Sequence, residues 1–242
     1  MKDFSLALMT GIDIPIPECQ LTVHQPSIKE ISMLGENSEN KFWDGIRYIC
    51  VNDLIDEEAG LKLSSFQVFI TIMSDKKMLE KKNIILNVLT LLFPKYTINL
   101  TPRALLFNYN KETIIIDENN FSSLQEVLRQ ISCLSEAEGE QYNPANELAA
   151  DIARKLERGR QRVAAQKQKA EEDHSKFSHY ISILSIALHI SVNELSNLTI
   201  YQLYNTMERY SLWSNWDIDL RARIAGASTG NQPADDWMKI IR

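Results

Sequence analysis

Apolar positions recur along this chain at two different periods, and the changes of period divide it into parts. Residues 11–18 alternate apolar side chains with breakers. Pro15 and Pro17 exclude a central strand and a helix interior there, since each removes a backbone donor. This predicts an extended arm or edge strand that Leu21 to Val23 continue. Ser27 followed by Glu30 is a capping box that opens a short helix, closed by Gly35. Helical spacing then places Phe42, Trp43, Ile46, Ile49 and Cys50 on one face, and Phe66, Phe69, Ile70 and Met73 on another. A longer helical run, residues 75–93, begins charged, ends apolar and stops at Pro94. The period then shortens to that of strands over residues 97–100, 104–109 and 112–117, with Asn110 and Lys111 as a two-residue turn. After the break at Asn119 and Asn120, residues 121–134 return to a helix with Leu124, Val127, Leu128 and Ile131 inward. Residues 1–134 are therefore expected to form an α+β domain, a small antiparallel sheet with covering helices.

Residues 135–144 are polar and acidic and read as a linker. Residues 145–173 are rich in Ala, Arg, Lys, Gln and Glu, with sparse apolar positions at Leu148, Ile152, Leu156 and Val163. That pattern predicts a long, charged connecting helix, so 135–175 form a linker and charged helix. Residues 176–242 are expected to be an all-α domain. Phe177, Ile181, Leu184, Ile186 and Leu188 begin it. Two capping boxes follow, Ser191 with Glu194 and Thr199 with Gln202. The pairs Ile190 with Leu195 and Leu198 with Leu203 are placed as hydrophobic staples. The second capped helix carries Ile200, Leu203, Tyr204, Met207 and Tyr210. A third, separate helix carries Trp216, Leu220 and Ile224, and Pro233 opens a last short one containing Trp237.

A hydrophobic fraction of 44% supports a real core, and a net charge of -6 argues against a nucleic-acid partner. The three cysteines, Cys19, Cys50 and Cys133, are widely spaced and form no CxxC pair, so free thiols in a reducing compartment are expected. The apolar run 84–93 falls short of the ~20 residues a bilayer requires, and no targeting segment is evident. His174 and His179 are five apart, off the spacing of a zincin helix, and no metal site or cofactor is expected. The chain lacks a phosphate-cradling glycine loop and a GxSxG elbow. Acid clusters such as Asp56 to Glu58 read as solvated faces. No catalytic residue is named, and the chain is expected not to be an enzyme.

Two groups of residues remain as candidates for binding. The basic stretch Arg154, Lys155, Arg158, Arg160 and Arg162, extended by Lys167 and Lys169, could contact phosphates or an acidic protein. Intervening acids dilute it and no aromatic residues interleave for base stacking, so nucleic acid is disfavoured. Tyr201, Tyr204, Trp213, Trp216 and Trp237 are the aromatic anchors of the C-terminal part, of the fold or of an interface.

Two stretches carry a family likeness. One is Gly11-Ile12-Asp13-Ile14-Pro15-Ile16-Pro17-Glu18 with Gln25-Pro26-Ser27-Ile28-Lys29-Glu30-Ile31 and Gly35-Glu36. The other is Leu195-Ser196-Asn197-Leu198-Thr199-Ile200-Tyr201-Gln202-Leu203, then Arg221-Ala222 and Ala225-Gly226-Ala227, closing on Trp237. In these the chain resembles the tail assembly chaperones and related tail-gene products of long-tailed bacteriophages. The resemblance implies a non-enzymatic protein of the host bacterial cytoplasm that coats the helical tape measure protein and recruits tail tube protein, with self-association also open. A structural tail or baseplate component of the virion and a nucleic-acid-binding adaptor using the basic helix are the alternatives.

Overall fold

A computed structural model describes residues 4–56, 61–101, 103–134, 175–226 and 237–238. The predicted linker and charged helix, including Arg154, Lys155, Arg158, Arg160 and Arg162, lie outside the described residues, as does most of the segment after Gly226.

The chain opens with a helix, α1 (Ser5–Thr10), that periodicity did not single out; six residues are too few to repeat a pattern. Then β1 (Ile14–Ile16) pairs antiparallel with β2 (Leu21–Val23), Ile14 opposite Val23 and Ile16 opposite Leu21. Leu21 to Val23 thus return alongside the arm rather than continue it. The reversal is local: the Cys19 N–H donates to the Ile16 carbonyl at 3.1 Å, and Gln20 adopts φ 56°. Pro15 points outward while Ile14, Ile16, Leu21 and Val23 are fully buried. A two-stranded ladder leaves each strand an edge, where a proline's missing donor is tolerated.

Helix α2 (Ile28–Ser32) is held by the Ser27–Glu30 capping box in both directions. Helix α3 (Ser38–Ile49) buries Phe42, Ile46 and Ile49, as its spacing requires. A short hairpin, β3 (Leu54–Asp56) with β4 (Leu61–Leu63), follows; three-residue strands carry too little alternation to be read in advance. Helix α4 (Ser65–Ser74) starts at a further capping box, Ser64 with Gln67, and buries Phe66, Phe69 and Met73. One 3₁₀ turn (Lys76–Met78) leads into α5 (Leu79–Leu92), whose Ile85, Val88, Leu89 and Leu92 are buried. The sheet β5 (Thr97–Leu100), β6 (Leu105–Tyr109), β7 (Glu112–Ile116) is antiparallel in that order, with Asn110 at φ 54° in the predicted turn. Helix α6 (Phe121–Ile131) closes this part, its Phe121 ring lying 5.2 Å from that of Phe66 and 5.1 Å from that of Phe69.

The last part is helical: α7 (Lys176–Leu188), α8 (Val192–Ser196) and α9 (Ile200–Ile224). Both predicted capping boxes form, at Ser191 and Thr199. The two separate helices expected over this stretch are one helix of 25 residues. No glycine or proline interrupts it, and serines at 211 and 214 cost too little to break it.

One hydrophobic core runs from β1 and β2 through α3 to α6 and on to α7–α9. Polar contacts cross with it. The Ile28 N–H donates to the Leu198 carbonyl at 2.9 Å, and Ser27 and Thr199 form an antiparallel bridge, so two helix starts lie side by side. Gln202 Nε2 donates to the Met9 carbonyl at 2.8 Å, closing the end of α1. The carboxylate of Glu39 on α3 accepts from the Ser175 hydroxyl and, at 3.3 Å, from the Phe177 N–H, so an acid sits at the N-terminus of α7 where the helix dipole favours it.

Candidate functional site

Helix α9 holds four of the five aromatic anchors, and it has two unlike halves. Its first turns are built into the fold. Ile200 and Leu203 are buried, and Tyr201 is partly buried against the core. The Tyr204 ring meets Phe177 edge-on at 6.3 Å and Tyr180 at 5.4 Å, and Phe177 in turn contacts Trp43 at 6.0 Å. Burial raises the Tyr204 hydroxyl above the ordinary tyrosine range, helped by Tyr180 and the negative charge of Glu39. Tyr201 and Tyr204 are thus packing residues at the root of the helix.

Beyond Leu203 no residue of α9 is buried. Helix α9 runs on from this buried start to Ile224. Its outer half exposes large apolar side chains: Trp213 is 42% exposed, Leu220 38%, Ile218 62% and Ile224 78%. Trp213 lies 6.2 Å from Tyr210, ring to ring. Trp216 is half-buried because Trp237 comes back against it, ring centroids 6.4 Å apart, and Arg209 Nη1 donates to the Trp237 carbonyl at 2.9 Å. Two ion pairs lie along the same half. Asp217 meets Arg221 at 2.9 Å and Asp219 meets Arg223 at 2.8 Å, both one turn apart.

The five anchors therefore separate into three groups. Tyr201 and Tyr204 are core, Trp216 and Trp237 pair with each other, and Trp213 stands at the surface with Leu220 and Ile224. Ile218, exposed on another side of the helix, and the Asp–Arg pairs were not singled out from sequence. For the ion pairs the available signal was the spacing of four from acid to base, at 217 and 221 and at 219 and 223.

Two polar groupings elsewhere bear on chemistry. His24 lies between two carboxylates: Nδ1 is 2.9 Å from Asp13 Oδ1 and Nε2 is 3.3 Å from Glu30 Oε1. Lys95 adds a contact to Asp13 at 3.2 Å. Burial alone would raise Asp13, but hydrogen bonds and charge from His24 and Lys95 outweigh it and hold the carboxyl below its ordinary value. Burial opposes in the same way at Glu30, where bonds from the Ser27 backbone and hydroxyl, then His24, win. The Ser27 hydroxyl donates to Glu30 at 2.7 Å and not to the imidazole, so this is no serine–histidine relay. The acids occupy opposite ring nitrogens and cannot share one ion with it. Among the described residues no group of three or more His, Cys, Asp or Glu is placed to hold a metal. The second grouping lines an open cleft of about 530 Å³ between α4 and the turn after β7. Of its two acids, Glu118 already accepts from Ser64 Oγ at 2.6 Å and Gln67 Nε2 at 3.3 Å, and Asp117 from the Asn119 N–H at 2.9 Å.

The described helices are too short or too polar to cross a membrane. A family model described as the YomV second domain matches residues 166–242, the stretch that contains α7, α8 and α9. That family derives from Bacillus phage, so the C-terminal part of this chain is similar to a phage or prophage protein. No curated protein and no solved structure matches the chain.

Proposed function

We propose that this chain is a non-enzymatic tail assembly chaperone of a phage or prophage. In this reading it works in the host bacterial cytoplasm, binds the helical tape measure protein and assists addition of tail tube protein. The observation that carries the reading is the outer half of α9, where Trp213, Leu220 and Ile224 face solvent on a helix that extends beyond its own core. A single exposed apolar residue is ordinary on a protein surface. A row of them along one helix is the geometry by which helices recognise other helices, with anchors on the i, i+4, i+7, i+11 series, of which Trp213, Leu220 and Ile224 hold the first, third and fourth places and Asp217 the second. The aromatic member is of the kind that dominates interface energetics. The likeness of this same stretch to a phage-derived family supports the biological setting.

The test is co-expression with the tape measure protein encoded by the same phage or prophage. Co-purification of the two, lost when Trp213 and Leu220 are changed to Ser and Gln, is the expected result. A tape measure protein that is equally soluble alone and does not co-purify would overturn the proposal. Mass spectrometry of finished particles separates it from a structural tail or baseplate role, since a chaperone is absent from them.

A further inference from the structure

The apolar face of the outer half of α9 is wider than the row of residues it leaves open. At about 100° per residue, Leu220 and Ile224 lie about 20° to either side of Trp213, and Trp216 about 60° from it on the Leu220 side. These four residues share an arc of about 80°, and Arg209 falls inside it. Part of that face has an occupant from the chain itself. The Trp237 ring lies 6.4 Å from that of Trp216, and the Trp237 carbonyl accepts from Arg209 Nη1 at 2.9 Å. Arg209 and Trp216 stand two turns apart, about 10 Å along the axis, so Trp237 is tied to the face at two levels. Trp216 is half-buried there, while Trp213, Leu220 and Ile224 stay exposed. The contact is superficial. Trp237 is itself only half-buried, Met238 beside it is exposed, and neither tryptophan belongs to the hydrophobic core.

We propose that Trp237 is a built-in competitor, an intrachain occupant that covers one side of the apolar face of α9 and yields it when a helical partner docks. The identity of that partner rests on the chaperone reading; the masking of the face does not. A helix laid along Trp213, Leu220 and Ile224 uses an apolar arc of roughly 100°, which takes in Trp216. Its side chains and the Trp237 ring therefore claim the same space beside Trp216, and one excludes the other. An indole suits this role. It sets against Trp216 the kind of ring that serves as an anchor at interfaces, and the covalent tether supplies it at high effective concentration. With no partner bound, the contact reduces the apolar surface that the helix presents to water and to unrelated proteins. A partner then meets the uncovered form for only part of the time, and its apparent affinity falls by that fraction.

Two measurements on the whole chain test this. The first needs no partner. With fluorotryptophan incorporated, fluorine NMR resolves Trp43, Trp213, Trp216 and Trp237, each assigned by its substitution with Phe. The solvent isotope shift of Trp216 should rise in Trp237→Ala, while those of Trp43 and Trp213 hold. Circular dichroism should show the helices unchanged, since the contact lies outside the core. The second measurement is capture of the tape measure protein encoded by the same phage or prophage, at graded chain concentrations. Trp237→Ala should bind it about three- to tenfold more tightly than wild type, Trp237→Phe about as wild type does, and Trp213→Ala more weakly. The opposite signs at 237 and 213 separate a competitor from an anchor. A Trp216 signal indifferent to Trp237→Ala would overturn the inference, and so would equal or weaker capture by Trp237→Ala, both with the chaperone reading intact. If neither chain captures the tape measure protein, the chaperone reading falls, and the Trp216 signal alone decides whether the face is masked.

Discussion

Helices α3 and α5 approach most closely at Gly45, and that approach makes a sharp prediction. A β-carbon placed on Gly45 would lie 2.5 Å from Val88 Cγ2 and 2.9 Å from Val88 Cβ. Carbon atoms pack comfortably at about 3.5–4.0 Å, so the two helices would have to separate by roughly 1 Å. Both contact surfaces are fully buried there: Phe42, Ile46 and Ile49 on α3, and Ile85, Val88, Leu89 and Leu92 on α5. Separation loosens all of them together, and overpacking of this kind costs about 1–3 kcal/mol or more. Against it stands the higher helix propensity of alanine, about 1 kcal/mol. Because the obstructing atoms include a β-carbon fixed to the backbone, the clash should win, and Gly45→Ala should destabilise the fold by about 2 kcal/mol. Val88→Ala alone removes two buried methyl groups and should cost about 2 kcal/mol. Combined, the two substitutions should cost about 1–2 kcal/mol less than their sum, since the smaller residue at 88 makes room for the new methyl. Urea unfolding followed by circular dichroism gives all four corners of this cycle. A Gly45→Ala chain as stable as wild type, or strictly additive losses, would refute the close-approach argument.

Other expected outcomes test separate parts of the structure. Gln125, 4% exposed, donates through Nε2 to the carbonyls of Ile49 and Val51, both at 2.9 Å, and so satisfies the end of α3 from α6. Gln125→Met keeps the volume but strands both acceptors, and urea unfolding should show a loss of about 2–4 kcal/mol. Asp13 and Glu30 titrate below their ordinary values of 3.8 and 4.5 in the folded chain, so the stability they supply is complete above those values and disappears as pH falls through the lower folded ones. The urea midpoint should therefore drop between about pH 5 and pH 2, and less steeply in Lys95→Met; identical slopes would remove the Lys95 contact from the account. Burial, with the nearby charges of Glu18 and Asp117, raises the Cys19 thiol to about 11, and burial raises Cys50 to about 12 and Cys133 to about 11, so accessibility and not acidity separates them: of the three, Cys133 is the exposed one. Alkylation at pH 8 should label Cys133 first and reach Cys19 and Cys50 only on unfolding, as peptide mass mapping would show.

What could be read from sequence was what neighbouring residues settle among themselves. The capping boxes at Ser27, Ser191 and Thr199 formed because each joins a side chain to a backbone group three residues away. The faces of α3, α4 and α6 and the strands β5–β7 followed from periodicity, and the turn at Asn110 from its residue type. Tertiary structure decided what depends on residues far apart. It turned β2 back on β1, set Ser27 beside Thr199, and gave Glu39 and Gln125 partners that lie 138 and 76 positions away. It also decided the meaning of the aromatic helix. Tyr204 and Trp213 look alike in sequence, two large rings in a stretch that reads as two helices and is one. They differ because Phe177 and Tyr180 pack on the Tyr204 ring, while Trp213 lies farther along α9 at the surface. Burial is a property of what lies alongside, and no local pattern on a helix records where its neighbour ends.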